Sequence, residues 1–410
     1  MGKEHIYTKY GMLSIDKENL CMIIGIPTET VENETRVALV PSLAEELVDE
    51  GFRVCVASGA GEQSGWPDSE YNDAGCDIVE ERATVFDRAD VIFQVRGLGA
   101  APSNEIDPYQ ENQLLIGLLG PYNLVDELAV LADRNVTAFA LELMPRISRA
   151  QSMDALSSMA SIGGYKAVLV AAEALPKLLP MQMTAAGTVP PANVFVVGAG
   201  VAGLQAIATA ERLGANVCAY DIRPEVKEEV ESLGAEFIKL DLETGDASDE
   251  EGHAREQDEE FYQKQREMMN RVIADSDIMI TTAAIPGRPA PELVTNEMVK
   301  GMNSGSVIVD LAAEGGGNCE PTVPNQTITH DGVTVYGPTN LPGTISQTGS
   351  RLYANNVTSF FRQLIDNDGA LRIDISDDIV DATMLTYDGT VRNPHERDES
   401  NSDDEDETDE

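Results

Sequence analysis

Six consecutive residues, Gly198-Ala199-Gly200-Val201-Ala202-Gly203, have the types and spacing to do chemistry on a ligand. The apolar run Val194-Phe195-Val196-Val197 precedes them and an amphipathic stretch, Leu204 to Gly214, follows. A second apolar run, Asn216 to Tyr220, then ends in Asp221. Strand, glycine-rich turn, helix, strand and acid come in the order that a dinucleotide site needs. Gly198 permits the tight turn, Gly200 lets backbone approach a pyrophosphate, and Gly203 lets the helix pack closely on the strand. Val201 and Ala202 open that helix, whose N-terminus offers free N–H groups and partial positive charge to phosphates. Asp221 is expected to accept hydrogen bonds from the adenosine ribose hydroxyls and to repel a 2′-phosphate, which favours NAD over NADP. Arg223, two residues on, weakens that preference slightly. The alternative is a unit of the same shape that binds no nucleotide; glycine spacing alone would allow it, but here five elements agree.

A chain of 410 residues is long enough for two or three domains. Asp and Glu number 71 against 28 Lys and Arg, a formal net charge of −43, and such a field repels nucleic acid and anionic membrane surfaces. The acidic residues are spread along the chain as well as concentrated at its end. Spread acidity is expected of a solvated surface suited to high salt, where screening tames self-repulsion, and so of a halophile's protein. The five cysteines form no CxxC pair and are odd in number, which predicts a reducing cytoplasm, no disulfide framework and no metal site. Cys55 and Cys218 sit in apolar runs and read as small core residues. The N-terminus carries no basic segment followed by an apolar one, so no signal peptide is expected. Leu178 to Ala210 lacks charge, but its Pro180, Pro190 and Pro191 make it a poor membrane span, and no direct membrane insertion is expected.

The elements that must position the glycine turn follow an alternating rhythm. Met22–Pro27, Arg53–Ala57, Val91–Val95, Leu114–Leu119 and Thr137–Leu141 read as strands. Between them, a helix capped by Ser42 runs to about Glu50, and short helices cover Tyr71–Ala74 and Glu80–Phe86. Ser152 to Ala174 is a long helical region. Beyond Asp221 come strands at Glu236–Leu240, Ile278–Thr282, Ser306–Asp310 and Thr334–Tyr336, and a helix near Phe261–Ala274. Ser350–Asp366 reads as a helix returning to the first domain, and Thr383–Val391 as a hairpin about Asp388-Gly389. The expected architecture is α/β, with two doubly wound Rossmann-like domains joined by long helices, the second carrying the dinucleotide site. The expected boundaries are a polar extension at 1–21, a first domain of 22–155 plus 347–394, a nucleotide domain of 156–346 and an acidic, disordered tail at 395–410.

The scarcity of histidine narrows the chemistry. The chain has four: His5 in the extension, His253 in an acidic insert (Asp241–Glu260), His330 in a turn and His395 in the tail. A dehydrogenase that makes an alcohol or amine moves a proton with the hydride and needs a positioned acid or base. Hydride transfer between two nicotinamide rings needs none.

Residues 22–394 resemble the soluble NAD(H)-binding component of proton-translocating nicotinamide nucleotide transhydrogenase, a family related to alanine dehydrogenase. The resemblance is carried by Ile24–Pro41, Met144–Ser158, Val194–Glu225, Thr281–Pro291 and Val309–Glu320. It implies that Arg146, Gln151, Asp154 and Ser157 serve the nicotinamide end of NAD(H), Gln151 aligning the rings while Arg146 and Asp154 hold the loop. The same segment also reads as an ordinary polar helix N-terminus. Ala284, Gly287 and Glu314 join the cofactor-binding set by the same resemblance. It further implies NADP(H) on a partner subunit, a membrane-spanning partner that carries the proton path, a homodimer, and a cytoplasmic location at the inner face of the cell membrane. The family's mobile-loop tyrosine is matched here by His253, a departure from the pattern.

Alanine dehydrogenase is the chief rival. Its family carries a lysine and a histidine that align with Arg96 and Gly120, and an arginine cannot shuttle protons. The resemblance therefore implies that amino-acid chemistry is dismantled while the nucleotide site is kept, leaving Arg36 structural or lining a remnant cleft. A non-catalytic NAD sensor is the third reading.

Overall fold

The computed structural model describes residues 22–392 except 101–105, 107, 125, 240–258, 286 and 367, together with 6–8 and 11–13. The acidic insert, His253 and the tail at 395–410 lie largely or wholly outside the described residues. Contacts divide the chain into two compact units, Met1–Leu156 with Ser346–Glu410, and Ser157–Ile345.

In chain order the first unit begins with a small hairpin, β1 (Ile6–Thr8) and β2 (Gly11–Leu13), within the segment expected to be only a polar extension. It continues through β3 (Ile23–Ile26), α1 (Pro41–Asp49), β4 (Arg53–Ala57), α2 (Asp68–Asp73), β5 (Asp77–Val79), α3 (Arg82–Arg88), β6 (Val91–Arg96), β7 (Leu114–Leu118), α4 (Asp126–Asp133) and β8 (Thr137–Ala140). A 3-10 helix at Ser148–Met153 leads into α5 (Ala155–Ala174). The second unit holds a hairpin, β9 (Gln182–Thr184) and β10 (Gly187–Val189), then β11 (Asn193–Val197), α6 (Val201–Arg212), β12 (Asn216–Tyr220), α7 (Lys227–Ser232), β13 (Glu236–Phe237) and α8 (Glu259–Ala274). It closes with β14 (Ile278–Thr281), α9 (Asn296–Lys300), β15 (Val307–Asp310), β16 (Thr327–His330) and β17 (Val333–Tyr336). The chain ends in the first unit with α10 (Ser346–Gln363), α11 (Asp378–Thr383), β18 (Met384–Tyr387) and β19 (Thr390–Val391).

Each unit is built on one sheet. The first has the order β19-β18-β8-β7-β6-β3-β4-β5, parallel from β5 to β8, with β18 and β19 added antiparallel at one edge. The second has the order β13-β12-β11-β14-β15-β17-β16, parallel but for β16. In this second sheet the strand order reverses between β11 and β14, which makes the crevice beyond their carboxyl ends the natural ligand site of a doubly wound fold.

Continuous apolar runs such as Val194–Val197 form buried parallel strands because both faces are covered. Val194 and Val196 pack on one side of the second sheet with Ala167, Val168, Ala171, Ala206 and Ile207, whereas Phe195 and Val197 pack on the other with Met269, Ile273 and Met298. In the first unit α10 is seated by aromatic edges: Phe361 meets Phe52 and Phe93 at 5.3 and 5.5 Å, and Phe360 meets Phe139 at 5.2 Å.

Local chemistry moves several expected boundaries. Pro41, not Ser42, opens α1, since proline's fixed φ and missing N–H suit the first helical position; Val40 is the N-cap and supplies no side-chain bond. Gly51 ends that helix region at φ 99°. Helices α2 and α3 begin at Asp68 and Arg82, and short β5 lies between them. His330 closes β16, and the turn itself is Asp331-Gly332 with φ 48° and 85°. Cys55 is fully buried, but Cys218 only partly so. Among the described residues one helix, α5, is long and apolar enough to cross a membrane, yet its Ala167, Val168 and Ala171 are wholly buried in the core of the second unit.

Helix α5 also meets α6 through glycine. A Cβ built on Gly164 would lie 2.0 Å from the carbonyl oxygen of Ala202, whereas one on neighbouring Gly163 meets nothing within 4 Å. Alanine in place of glycine gains a helix about 1 kcal/mol, so Gly163→Ala should be neutral or stabilising. Gly164→Ala should cost about 2 kcal/mol or more, because backbone must move. Denaturant unfolding of the two variants reads the contrast; equal effects would refute the packing account.

Candidate nucleotide site

The glycine turn sits past the carboxyl end of β11. Gly198 has φ 96°, its N–H donates to the carbonyl of Tyr220 at 2.8 Å, and an added Cβ would lie 2.4 Å from Oγ1 of Thr282. A Cβ on Gly203 would lie 1.9 Å from the carbonyl oxygen of Gly198, so only glycine lets α6 press against the turn. Gly200 is different: an added Cβ meets nothing of the protein within 4 Å. Its place at the N-cap of a 12-residue helix leaves open room beside unpaired N–H groups, which fits a pyrophosphate.

The remaining nucleotide-site residues lie past neighbouring strands. Asp221 follows β12, the loop with Ala284 and Gly287 follows β14, and the loop with Glu314 follows β15. Ala284, Gly287 and Glu314 are all exposed. The fold therefore collects the predicted glycines, acid and loops at the carboxyl ends of four adjacent parallel strands.

Asp221 is buried and already engaged. Its Oδ2 accepts from the N–H of Ala199 at 2.6 Å and from Nη2 of Arg223 at 2.8 Å; its Oδ1 accepts from the N–H and Nε of Arg223, both at 2.9 Å. The expectation of Asp221 as a simple ribose acceptor thus needs correction: in this structure the same carboxylate also ties the glycine turn to Arg223. That hydrogen-bonded ion pair raises the Arg223 pKa.

Two residues outside the sequence-predicted set organise the loops. Asp310, fully buried at the end of β15, accepts from Oγ1 of Thr281 and the N–H of Ala312 on Oδ1. Its Oδ2 accepts from the N–H groups of Asn318 and Cys319 and from Oγ1 of Thr322, all at 2.7–3.0 Å. Asn318, also fully buried, accepts from the N–H of Ala283 and donates to the carbonyls of Ala283 and Pro291. The signal for Asp310 was available as an acid closing an apolar run, the signal that singled out Asp221. Asn318 gave none, because its partners are backbone groups.

In the first unit Arg146 and Gln151 are exposed, and Asp154 and Ser157 are partly buried around the start of α5. Nδ2 of Asn356 on α10 donates to the carbonyl of Ser152 at 2.9 Å and anchors the 3-10 helix that carries Gln151. Elsewhere in this unit Arg36 is buried against Glu34, with Nε to Oε1 at 2.7 Å and Nη2 to Oε2 at 2.5 Å. Gly120 has φ 61°, and a Cβ there would lie 2.5 Å from the backbone of Gly99. Its N–H donates to Oε1 of Glu142, whose Oε2 is buried without a hydrogen bond; burial raises the Glu142 pKa. The Glu29 carboxylate accepts from the N–H groups of Val95 and Arg96 at 2.6 and 3.0 Å, and desolvation pushes its pKa up to about 7. Among the described residues no group of three His, Cys, Asp or Glu side chains could hold a metal ion.

Two family models cover nearly all of the described chain: alanine dehydrogenase/PNT, N-terminal domain, over residues 25–163, and alanine dehydrogenase/PNT, C-terminal domain, over 167–394. The chain belongs to the alanine dehydrogenase/PNT family. Within it, this member is 44% identical over 377 residues to the first of the separate polypeptides named NAD(P) transhydrogenase subunit alpha in Rhodospirillum rubrum, covering 91% of this chain and 98% of that one. Alanine dehydrogenase 2 of Staphylococcus aureus is 33% identical over 383 residues, covering 91% and 95%. A crystal structure of transhydrogenase from Sinorhizobium meliloti superposes with a TM-score of 0.80 at 45% identity, covering 90% of this chain and all of that one. The α/β architecture of two Rossmann-like domains is that of this family.

The buried carboxylates give two measurable outcomes. Asp310→Ala strands five donors around a buried hole and should cost about 3–5 kcal/mol in denaturant unfolding. Glu29 has a raised pKa, so its contribution is full below about pH 4.5 and is lost as pH rises towards about 7. The stability of wild type relative to Glu29→Gln should fall across that window; a pH-independent difference would refute the desolvated carboxyl.

Proposed function

We propose that this chain is the NAD(H)-binding subunit of a proton-translocating NAD(P) transhydrogenase. Bound NADH would supply a hydride from its nicotinamide C4 to NADP+ held by a partner subunit, with proton translocation in a membrane-spanning subunit. The chain's own residues bind, orient and exclude water. Gly198, Gly200, Val201, Ala202 and Gly203 take the pyrophosphate, and Asp221 and Arg223 the adenosine ribose end. Ala284, Gly287 and Glu314 line the loops beyond. Gln151 aligns the nicotinamide ring while Arg146, Asp154 and Ser157 support it. Alignment is the main catalytic contribution, since holding two rings in reacting geometry replaces an improbable encounter.

The observation that carries this reading over alanine dehydrogenase is the backbone at Gly120. Aligned with the dehydrogenase histidine, it has no room for any side chain, because its Cα faces the backbone of Gly99. Arg96, aligned with the dehydrogenase lysine, holds a permanent charge. A proton donor for an amino acid is therefore missing at both positions. The higher identity to the transhydrogenase subunits than to the dehydrogenase, 44% against 33%, supports the same choice.

A homodimer is part of the proposal. The β9–β10 hairpin projects Met181, Met183 and Val189 at 60, 75 and 39% exposure, and Leu156 and Tyr165 of α5 are also exposed. Apolar surface of that kind calls for a partner, and a second copy supplies one. A cytoplasmic site, with membrane attachment through the partner subunits, follows from the same assignment. The acidic composition supports work at high salt, so activity is assayed in molar salt.

The test follows hydride transfer from NADH to an NADP+ analogue, with and without membranes that supply the partner subunits. Transfer should need both fractions. Gln151→Ala should lower the rate about 10- to 100-fold with at most a few-fold change in NADH affinity. Turnover of alanine, or of pyruvate with ammonium, by the chain alone would instead establish the dehydrogenase.

A further inference from the structure

We propose that Asp221 also sets nucleotide specificity by occupying Arg223, so that removing its charge alone exposes a guanidinium able to take a 2′-phosphate. This rests on the nucleotide-site reading above and deepens it.

Arg223 meets both carboxylate oxygens of Asp221 through Nε and Nη2, at 2.9 and 2.8 Å, the two-pronged arrangement that guanidinium makes with carboxylate. Both side chains are largely buried, at 5% exposure for Asp221 and 13% for Arg223. The pair stands at the carboxyl end of β12, where the strand–turn–helix–strand unit places the adenosine ribose. A ribose with a free 2′-hydroxyl has a donor to offer Asp221. A 2′-phosphate has only acceptors there, and it meets the carboxylate's charge.

The same phosphate suits a guanidinium, which binds planar and tetrahedral oxyanions through paired N–H donors. Arg223 is thus of the chemical type that accommodates NADP, held two residues from the acid that selects NAD. Its backbone N–H also donates to Oδ1 of Asp221, which fixes the guanidinium's starting point close to that ribose position. Glu225 and Glu229 add negative charge near Arg223 and temper the gain without occupying its fork. Discrimination by this chain then has two parts: repulsion by Asp221, and withdrawal of Arg223 from use.

The experiment measures dissociation constants for NADH and NADPH by titration calorimetry on the full chain. It compares wild type, Asp221→Asn, Arg223→Met and the double variant, each with its thermal melt. Asp221→Asn should tighten NADPH at least tenfold and weaken NADH, and the added Arg223→Met should abolish the NADPH gain. A gain that survives in the double variant overturns the proposal, because relief of repulsion alone would then explain it. The proposal is equally overturned if Asp221→Asn melts normally, still binds NADH and gains nothing for NADPH. Should Asp221→Asn fail to fold, Arg223→Met alone decides. It should weaken NADPH more than NADH, and equal effects count against a reserved phosphate ligand. Wild type that binds neither nucleotide overturns the nucleotide site itself, and this proposal with it.

Discussion

The buried carboxylate of Asp310 is the constraint on which the nucleotide crevice depends. A charge in the core is tolerated only when its oxygens are filled, and here five donors fill them. Four of those donors, in Ala312, Asn318, Cys319 and Thr322, belong to the loop after β15. The loop is therefore wound around one point. Because Asn318 is fixed there, its amide can clamp the loop after β14 through Ala283 and Pro291. Thr281 ties the point back to β14. Two of the four loops at the crevice thus take their shape from a residue that need not touch a ligand.

The other two loops are shaped by absence of side chains. Gly198 and Gly203 let backbone meet backbone, and Asp221 then bridges from the end of β12 to the N–H of Ala199. The crevice has one half held by a buried charge and the other by close packing of glycine. Gly200 stands apart in this scheme. It is glycine where the protein itself leaves space, which is the pattern expected of a position kept small for something that is not protein.

Local pattern made much of this legible. Parallel strands buried on both faces are continuous apolar runs, and β4 and β12 begin and end where the sequence places them. The glycine turn and its acid were legible because each residue has a separate local reason. Boundaries set by competing local chemistry were less so: serine reads as a cap, yet the proline before it had already started α1. Short pieces such as β5 and the β9–β10 hairpin have too few residues for a period. Asn318 and Gly164 could not be found at all, since what each needs is a backbone group far away in sequence. The Asp221–Arg223 pair was half legible, its two members noted but their mutual capture visible only in three dimensions.

The contact between Gly99 and Gly120 bears on how chains of this kind diverge. Where one activity is lost by changing a side chain, restoring the side chain restores the activity. Here two stretches of main chain have closed on each other, and Gly120 sits in a left-handed conformation that histidine enters only under strain. Putting back a single residue would wedge the stretches apart, so each reverting step would pass through a poorly folded chain. The closure works as a ratchet: it makes departure from amino-acid chemistry easy to keep and hard to undo.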